Sequence, residues 1–310
     1  MTALIGEDAP RRVPASADMG ELRTHALSIR RRIVDMCASP EGGHLGGSMS
    51  LVEILTALYF AVLRVDPRQP GQPDRDVLLL SKGHGGIGLY AALAERGYFD
   101  AGELAAYGRP GSRFMAHPVR SVPGVEMPTG SLGHGLALGI GFALSALIAG
   151  EDRRTVVILG DGELQEGSVW EAALAAAGLG LDRLIAVVDR NRLQLTGPTE
   201  ETSPLEPLAS KWRGFGWAVR EADGHDLPGL VSLLGSAPWE PGAPSVLLAQ
   251  TVKGMGIPFV ADKTESHFVT FSARSQARAH RALSAGQAGP GTRGHEASPL
   301  EPTHEARADR

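Results

Sequence analysis

Residues 155–163 read Thr-Val-Val-Ile-Leu-Gly-Asp-Gly-Glu, and residues 184–191 read Leu-Ile-Ala-Val-Val-Asp-Arg-Asn. Each stretch opens with five apolar or β-branched residues and then turns abruptly polar. Short apolar runs bounded by turn residues predict buried strands. Between them Ser168–Ala177 is Ala-rich and long enough for a helix. Strand, helix, strand in that order predicts a parallel pair. Ligands of doubly wound sheets gather beyond the carboxyl ends of the strands, so Asp161 and Asn191 share one sheet edge if the two strands are neighbours. A carboxylate and an amide oxygen suit a hard divalent cation, Mg²⁺ or Ca²⁺, and a carbonyl near Leu193 adds a further oxygen. Gly162 lets backbone N–H groups approach phosphate oxygens. Mg²⁺ is usually shared with phosphates rather than caged by protein, so the combined expectation is a metal-bridged diphosphate. Gly-Asp-Gly alone is ordinarily a turn; the weight lies in the pair, one crossover apart, each directly after an apolar run.

Outward from this unit the alternation continues. Strands are expected at Asp76–Leu80, Trp217–Arg220 and Ser245–Gln250. Helices are expected at Gly86–Arg96, Gly135–Ala149, Pro207–Gly214 and Leu227–Leu234. Leu22, Ala26, Ile29, Ile33 and Met36 fall on one helical face within residues 18–38. Ser50 and Glu53 have the spacing of a capping box ahead of another helix. The fold class is α/β, a mostly parallel sheet with helices on both faces. The folded domain is expected over residues 17–272, with residues 1–16 a flexible N-terminus. Residues 273–310 have too few large apolar residues to order themselves and read as a disordered tail.

The 310 residues are 43% hydrophobic and 21% charged, with a formal net charge of -5. A sizeable core is possible, and no basic stripe suggests nucleic acid. No apolar run reads as approaching the ~18 residues of a membrane span. The N-terminus lacks the apolar stretch of a secretory signal. Cys37 is the only cysteine, so no internal disulfide forms, and a cytoplasmic location is expected.

Four of the ten histidines sit among small residues: His44 in Gly-His-Leu-Gly-Gly, His84 in Lys-Gly-His-Gly, His117 in Ala-His-Pro, and His267 in Glu-Ser-His-Phe. A lone histidine is more often surface or satisfied core. Glycine neighbours leave room for a ligand, and imidazole suits proton transfer near neutral pH. None has zinc-site spacing. Residues 83–88, Gly-His-Gly-Gly-Ile-Gly, fit the dinucleotide fingerprint. The second strand ending in an acid, which that fingerprint requires, is missing between Phe99 and Pro110, so a nicotinamide cofactor is not expected. Arg113, Arg120 and Lys253 remain candidates for polar substrate contacts, although solvated surface is the ordinary reading of each.

The Gly-Asp-Gly with an Asn about thirty residues later resembles the thiamine-diphosphate motif. Gly160-Asp161-Gly162-Glu163-Leu164-Gln165-Glu166-Gly167, followed by Trp170-Glu171-Ala172, is similar to the transketolase family in particular. The resemblance runs from about Glu21 to His267. It implies that Asp161, Asn191 and the Leu193 carbonyl bind the metal and that Gly162 and His84 contact the diphosphate. His44 and His117 would meet the sugar donor, and His267 both diphosphate and substrate. Phe268 departs from the family's His-Gly at that point. Pro128–Gly135 resembles the family's Thr-Gly-x-Leu-Gly-Gln-Gly, with His134 in the Gln position, so Gly130 and Leu132 would lie against the cofactor rings. Glu166 resembles an interface glutamate linking paired active sites; a first-turn glutamate favoured by the helix dipole fits it equally.

In this family a pyrimidine-binding domain normally follows. Its absence from this chain implies a separate C-terminal pyrimidine-binding subunit, the two kinds of chain forming an α2β2 heterotetramer. An apolar pairing surface is expected around Glu166–Ala177 and Gly130–Ala149. The implied activity is transfer of a two-carbon ketol unit from a ketose, such as a sugar phosphate, to an aldehyde through thiamine diphosphate. Three other readings fit the same residues: a deoxyxylulose-phosphate synthase-like or 2-oxo acid dehydrogenase-like subunit, a non-catalytic cofactor-binding subunit, and a plain metal-dependent phosphate binder.

Overall fold

The computed structural model describes residues 18–286. Five strands, β1 (Val77–Leu80), β2 (Thr155–Gly160), β3 (Leu184–Arg190), β4 (Ala218–Asp223) and β5 (Ser245–Gln250), form one sheet in the order β1-β2-β3-β5-β4. Every neighbouring pair is parallel. Successive residues of a strand point to opposite faces. Leu78, Leu80, Val156, Ile158, Ile185 and Val187 accordingly enter one apolar cluster. Val77, Leu79, Val157, Leu159, Ala186 and Val188 enter the other. Burial on both faces is why these strands read as unbroken apolar runs rather than alternating ones.

The helices are α1 (Met19–Cys37), α2 (Leu45–Met49), α3 (Val52–Ala57), α4 (Gly86–Arg96), α5 (Gly135–Ala149), α6 (Gly167–Gly178), α7 (Thr199–Thr202), α8 (Leu208–Gly214), α9 (Leu227–Gly235) and α10 (Ala273–Ala285). Helices α1, α3, α4 and α9 cover the first face, and α5, α6 and α8 the second. The apolar face of α1 comprises Leu22, Ala26, Ile29, Ile33 and Met36, all buried as its spacing predicts. Its first turn is capped by Asp18, which accepts a hydrogen bond from the Gly20 amide at 2.7 Å.

Three expectations are corrected. The capping box at Ser50 and Glu53 does not form. Helix runs almost without a break from α2 through α3 into a π-helical turn at Leu58–Val62, so no free N-terminus needs a cap. Ser50 Oγ instead donates to Asp189 at 2.7 Å, and Glu53 takes a two-pronged bond from Arg30 at 2.6 and 2.8 Å. Second, this same stretch, Leu45–Val62, is an 18-residue segment apolar enough for a membrane span. It is almost wholly buried in the fold and serves as a core element. Third, the chain does not lose order at Ala273. Helix α10 packs against α1 through Ala279 and Leu283. Gln276 and His280 both bond Asp35 of α1 at 2.8 Å. Alanine-rich sequence is a strong helix former, and two buried residues one turn apart suffice to dock it. The expected flexible N-terminus and the rest of the expected tail lie outside the described residues.

Candidate functional site

Parallel register fixes the geometry first. Gly160 pairs with Asp189, and Leu80 with Ile158, while Gln250 pairs with Arg190. The carboxyl ends of β1, β2, β3 and β5 therefore open side by side, delivering Lys82, Asp161, Asn191 and Lys253 to one edge.

Asp161 is buried. Its carboxylate accepts from the amides of Gly162 (2.8 Å) and Arg192 and from the Arg190 guanidinium (3.3 Å). Burial and the neighbouring Asp189 push its carboxyl above the ordinary range, against the pull of Arg190. Asn191 Oδ1 accepts from the Leu193 amide at 3.1 Å. The Leu193 carbonyl accepts from the Lys253 ammonium at 2.9 Å. An all-oxygen set of carboxylate, amide and carbonyl fits a hard cation, and the ammonium on Leu193 is a positive charge already standing on one of these oxygens. Among the described residues no cluster of three or more His, Cys, Asp or Glu has metal-holding geometry, so a cation here relies on this mixed set together with a ligand's own oxygens.

Two buried lysines stand in the site: Lys82, which the sequence reading did not single out, and Lys253, which it held as a candidate polar contact. Lys253, expected at a solvated surface, is 2% exposed. Besides the Leu193 carbonyl it contacts His267 Nδ1 at 3.1 Å. Burial and the charge of Lys82 hold its ammonium down to about 8. Lys82 is fully buried; Nζ donates to the Gly47 carbonyl at 3.0 Å and pairs with Asp189. Asp189 also accepts from Ser50, Thr251 and Asn191 Nδ2, tying four segments together. Although burial pushes its carboxyl up, Lys82 and the hydroxyls hold it below the usual carboxylate range. The sequence carried only a weak signal for Lys82 and Lys253: they lie two and three residues beyond the apolar strands β1 and β5. Arg113, by contrast, pairs with Glu103 at 2.6 Å, and Arg120 is exposed.

The structure brings the four singled-out histidines together. Ring centroids of His44 lie 5.9 Å from His84, 5.7 Å from His117 and 5.4 Å from His267, and His84 lies 5.3 Å from His267. A backbone bridge between Gly43 and Val269 holds the first and last of these segments side by side. Burial chiefly, with the nearby lysines, lowers His44 and His267 to about 4 and His84 to about 2. These rings are neutral at neutral pH. His44 Nδ1 and the Thr129 hydroxyl are buried without a hydrogen-bond partner. Buried polar atoms are normally satisfied, and these two are left free to bond a polar ligand. Phe268 is half exposed and stands edge-on to His44 at 5.0 Å.

Gly130 forms one wall. Its φ of 141° is closed to other residues, and a Cβ there would sit 2.9 Å from the His117 ring. The loop that follows is held by Glu163, which accepts from the amides of Gly133 (2.9 Å) and Gly160 (3.0 Å) and from Ser81. Leu132 is half-buried in this loop. Glu166 is not part of the histidine cluster; it is exposed at the start of α6, beside Gly133, and caps nothing. After β1 no second strand follows the Gly-x-Gly-x-x-Gly stretch until β2, so the dinucleotide unit is not built.

Residues 23–288 match the family model described as "Transketolase, thiamine diphosphate binding domain". The chain is 45% identical over 248 residues to the 6-deoxy-6-sulfo-D-fructose transketolase subunit SqwG of Clostridium sp., covering 80% of this chain and 90% of that protein. It is 46% identical over 257 residues to an apulose-4-phosphate transketolase subunit of Actinobacillus succinogenes, covering 82% of this chain and 92% of the relative. Among solved structures, the transketolase of Campylobacter jejuni superposes with a TM-score of 0.81 at 27% identity, over 86% of this chain and 43% of that one.

Proposed function

Because the chain belongs to the transketolase family, we propose that it is the diphosphate-binding subunit of a two-subunit enzyme carrying a two-carbon ketol unit from a ketose donor to an aldehyde acceptor. The observation that carries the reading is the edge where Asp161, Asn191 and the Leu193 carbonyl meet two buried ammonium groups and four clustered histidines. Asp161, Asn191 and the Leu193 carbonyl would hold Mg²⁺ (or Ca²⁺). Gly162, His84 and Lys253 would receive the diphosphate, and Gly130 and Leu132 would flank the rings.

When bound, thiamine diphosphate supplies the nucleophilic carbon that takes up and releases the two-carbon unit. This chain's residues bind, orient and move protons. The Lys253 ammonium would neutralise part of the anion in a pocket where burial strengthens the contact, while Lys82, already paired with Asp189, supports the site from behind. Neutral His44, with Nδ1 unpartnered, can accept a hydroxyl proton from the substrate or donate to its carbonyl, according to tautomer. His117 and His267 flank it and orient the sugar hydroxyls. Phe268, half exposed and edge-on to His44, would add an apolar contact beside the sugar. Glu166 lies outside this chemistry and would link paired sites across a subunit boundary.

The two relatives carry the word subunit in their names, which supports a partner that supplies the pyrimidine-binding half. To this we add, from the sequence reading alone, an α2β2 heterotetramer in the cytoplasm. Both are named for ketoses with an anionic group, a sulfonate in one and a phosphate in the other. We extend that to this chain: the donor is a ketose with an acidic far end. The test is reconstitution with the partner, Mg²⁺ and thiamine diphosphate, against a panel of ketose phosphates, ketose sulfonates and pyruvate. Aldose release from an acidic ketose is the expected result. Turnover of pyruvate alone would move the chain to the synthase-like or dehydrogenase-like reading, and no donor cleavage at all would reject the proposal.

A further inference from the structure

His225 carries no chemistry-bearing motif and stands outside the histidine cluster, yet its two ring nitrogens are both engaged. The Val252 amide donates to Nε2 at 2.9 Å. Nε2 must therefore present its lone pair, which leaves the proton of the neutral ring on Nδ1. Nδ1 lies 2.9 Å from Glu53 Oε2 and donates to it. Glu53 is in turn gripped by both terminal nitrogens of Arg30. Burial pushes the Glu53 carboxyl up, but Arg30 and His225 outweigh it and hold it down to about 2. The carboxylate is a fixed anion, and it fixes the imidazole tautomer.

Val252 is the residue before Lys253. The segment that begins at Thr251 faces the site from the front: Thr251 bonds Asp189, and Lys253 reaches the Leu193 carbonyl and His267. From behind, the same segment is held by His225 at Val252 and by Arg30 Nε on the Met255 carbonyl at 3.5 Å. Nothing larger than glycine fits at either end of this clamp. A Cβ on Gly224 would lie 2.3 Å from Thr251 Cγ2, and one on Gly256 would lie 2.9 Å from Arg30 Nε. Side chains from α1, α3 and the loop after β4 thus converge on a stretch of backbone that has one buried cation on its far side.

The geometry points to His225 as a positioning residue: through the Val252 amide, and braced by Glu53 and Arg30, it sets the Lys253 ammonium against the diphosphate. The inference rests on the reading of Lys253 as a diphosphate-facing group. A general structural role for His225 would make any substitution harmful in proportion to lost stability. A positioning role through one acceptor atom distinguishes between substitutions of similar size. By its length Gln sets an amide oxygen near the place of Nε2 and keeps the acceptor for Val252, whereas Asn reaches only the Glu53 side and leaves the Val252 amide unpaired.

The experiment compares His225→Gln and His225→Asn in the full chain, assembled with its partner. Melting temperature, hydrogen exchange of the Val252 amide, and calorimetric titration with thiamine diphosphate plus Mg²⁺ are measured on each. His225→Asn should expose the Val252 amide to rapid exchange and weaken cofactor binding about tenfold. His225→Gln should retain the protection and bind within about threefold of the wild type, even if both variants melt at the same lowered temperature. Equal losses in the two variants, or unchanged Val252 protection and affinity in His225→Asn, would overturn the inference. Should the Asn variant not fold, Glu53→Gln must still speed Val252 exchange, and an unchanged rate there overturns it as well. The exchange measurement stands apart from the cofactor: a wild type that ignores thiamine diphosphate while Val252 responds as described rejects the proposed function and leaves the clamp intact.

Discussion

Lys253 Nζ lies 2.9 Å from the carbonyl oxygen of Leu193, sixty residues earlier in the chain. One atom pair joins the carboxyl ends of β3 and β5, and the oxygen concerned is the one assigned to a metal. If the Leu193 carbonyl were to hold a divalent ion, the Lys253 ammonium beside it would be left to serve the diphosphate. Lys253→Met, which keeps most of the packing and removes the charge, should therefore weaken binding of thiamine diphosphate. A charge-assisted hydrogen bond contributes about 1.5–3 kcal/mol, which is roughly ten- to hundredfold in Kd. Titration calorimetry of the variant checks this, and an unchanged Kd would remove Lys253 from the site.

Asp161→Asn separates cofactor binding from folding. The carboxylate is buried beside Asp189, and both features raise its pKa. Neutralising it should leave the melting temperature of the ligand-free chain unchanged or slightly raised. The same substitution removes the only carboxylate of the proposed metal set, so the Mg²⁺ dependence of cofactor affinity should vanish. A variant that melts many degrees lower, or that still responds to Mg²⁺, contradicts the assignment.

The histidine cluster should make the ligand-free protein sensitive to acid. His44 and His267 titrate near 4 in the fold, held down chiefly by burial, and near 6.5 when unfolded. Between those values the unfolded chain binds more protons than the folded one, so stability falls as pH drops from about 6.5 to about 4. Thermal melts across this window should show the decline, and a His44→Asn, His267→Asn double variant should make it shallower, leaving the share of His84, which burial holds lower still. Bound diphosphate brings negative charge to the rings, which raises their pKa and should shrink the slope.

Helices α5 and α6 lie side by side on one face of the sheet. The fifteen residues of α5 include none that is charged. Leu147, Ile148, Leu174 and Leu179 on and beside these helices are largely exposed, Ile148 at 79% and Leu174 at 62%. Exposed apolar side chains on these two helices fit the pairing surface expected for the partner subunit. Ile148→Asp and Leu174→Asp should each abolish co-purification with the partner subunit. The fold itself should change by only about 0.5 kcal/mol, since neither side chain packs in the core. Retained pairing in both variants would move the interface elsewhere.

The unit at residues 155–191 was legible because a parallel strand–helix–strand carries its own register: once both runs are strands, Asp161 and Asn191 must share an edge. The four histidines were legible by their small neighbours and by the family resemblance, although spacing along the chain gives no reason for His44 to meet His267. That proximity comes from the Gly43–Val269 bridge between two distant loops. Helix α10 escapes a reading based on large apolar residues, because Ala279 and Leu283 dock it with little side-chain volume. The apparent capping box at Ser50 and Glu53 misled because local spacing takes no account of Asp189 and Arg30, which claim those side chains from elsewhere.

The sequence by itself determined the sheet, its covered faces and the edge shared by Asp161 and Asn191, because burial on a strand or helix repeats with a short period that a linear reading detects. Only the tertiary structure decided that Lys82 and Lys253 are interior cations, that Glu163 pins the glycine loop and that His225 braces the segment behind Lys253. Whether a charged side chain faces water or an opposite charge depends on which remote segment lies within a few ångströms of it, and that distance is set by packing rather than by neighbours along the chain.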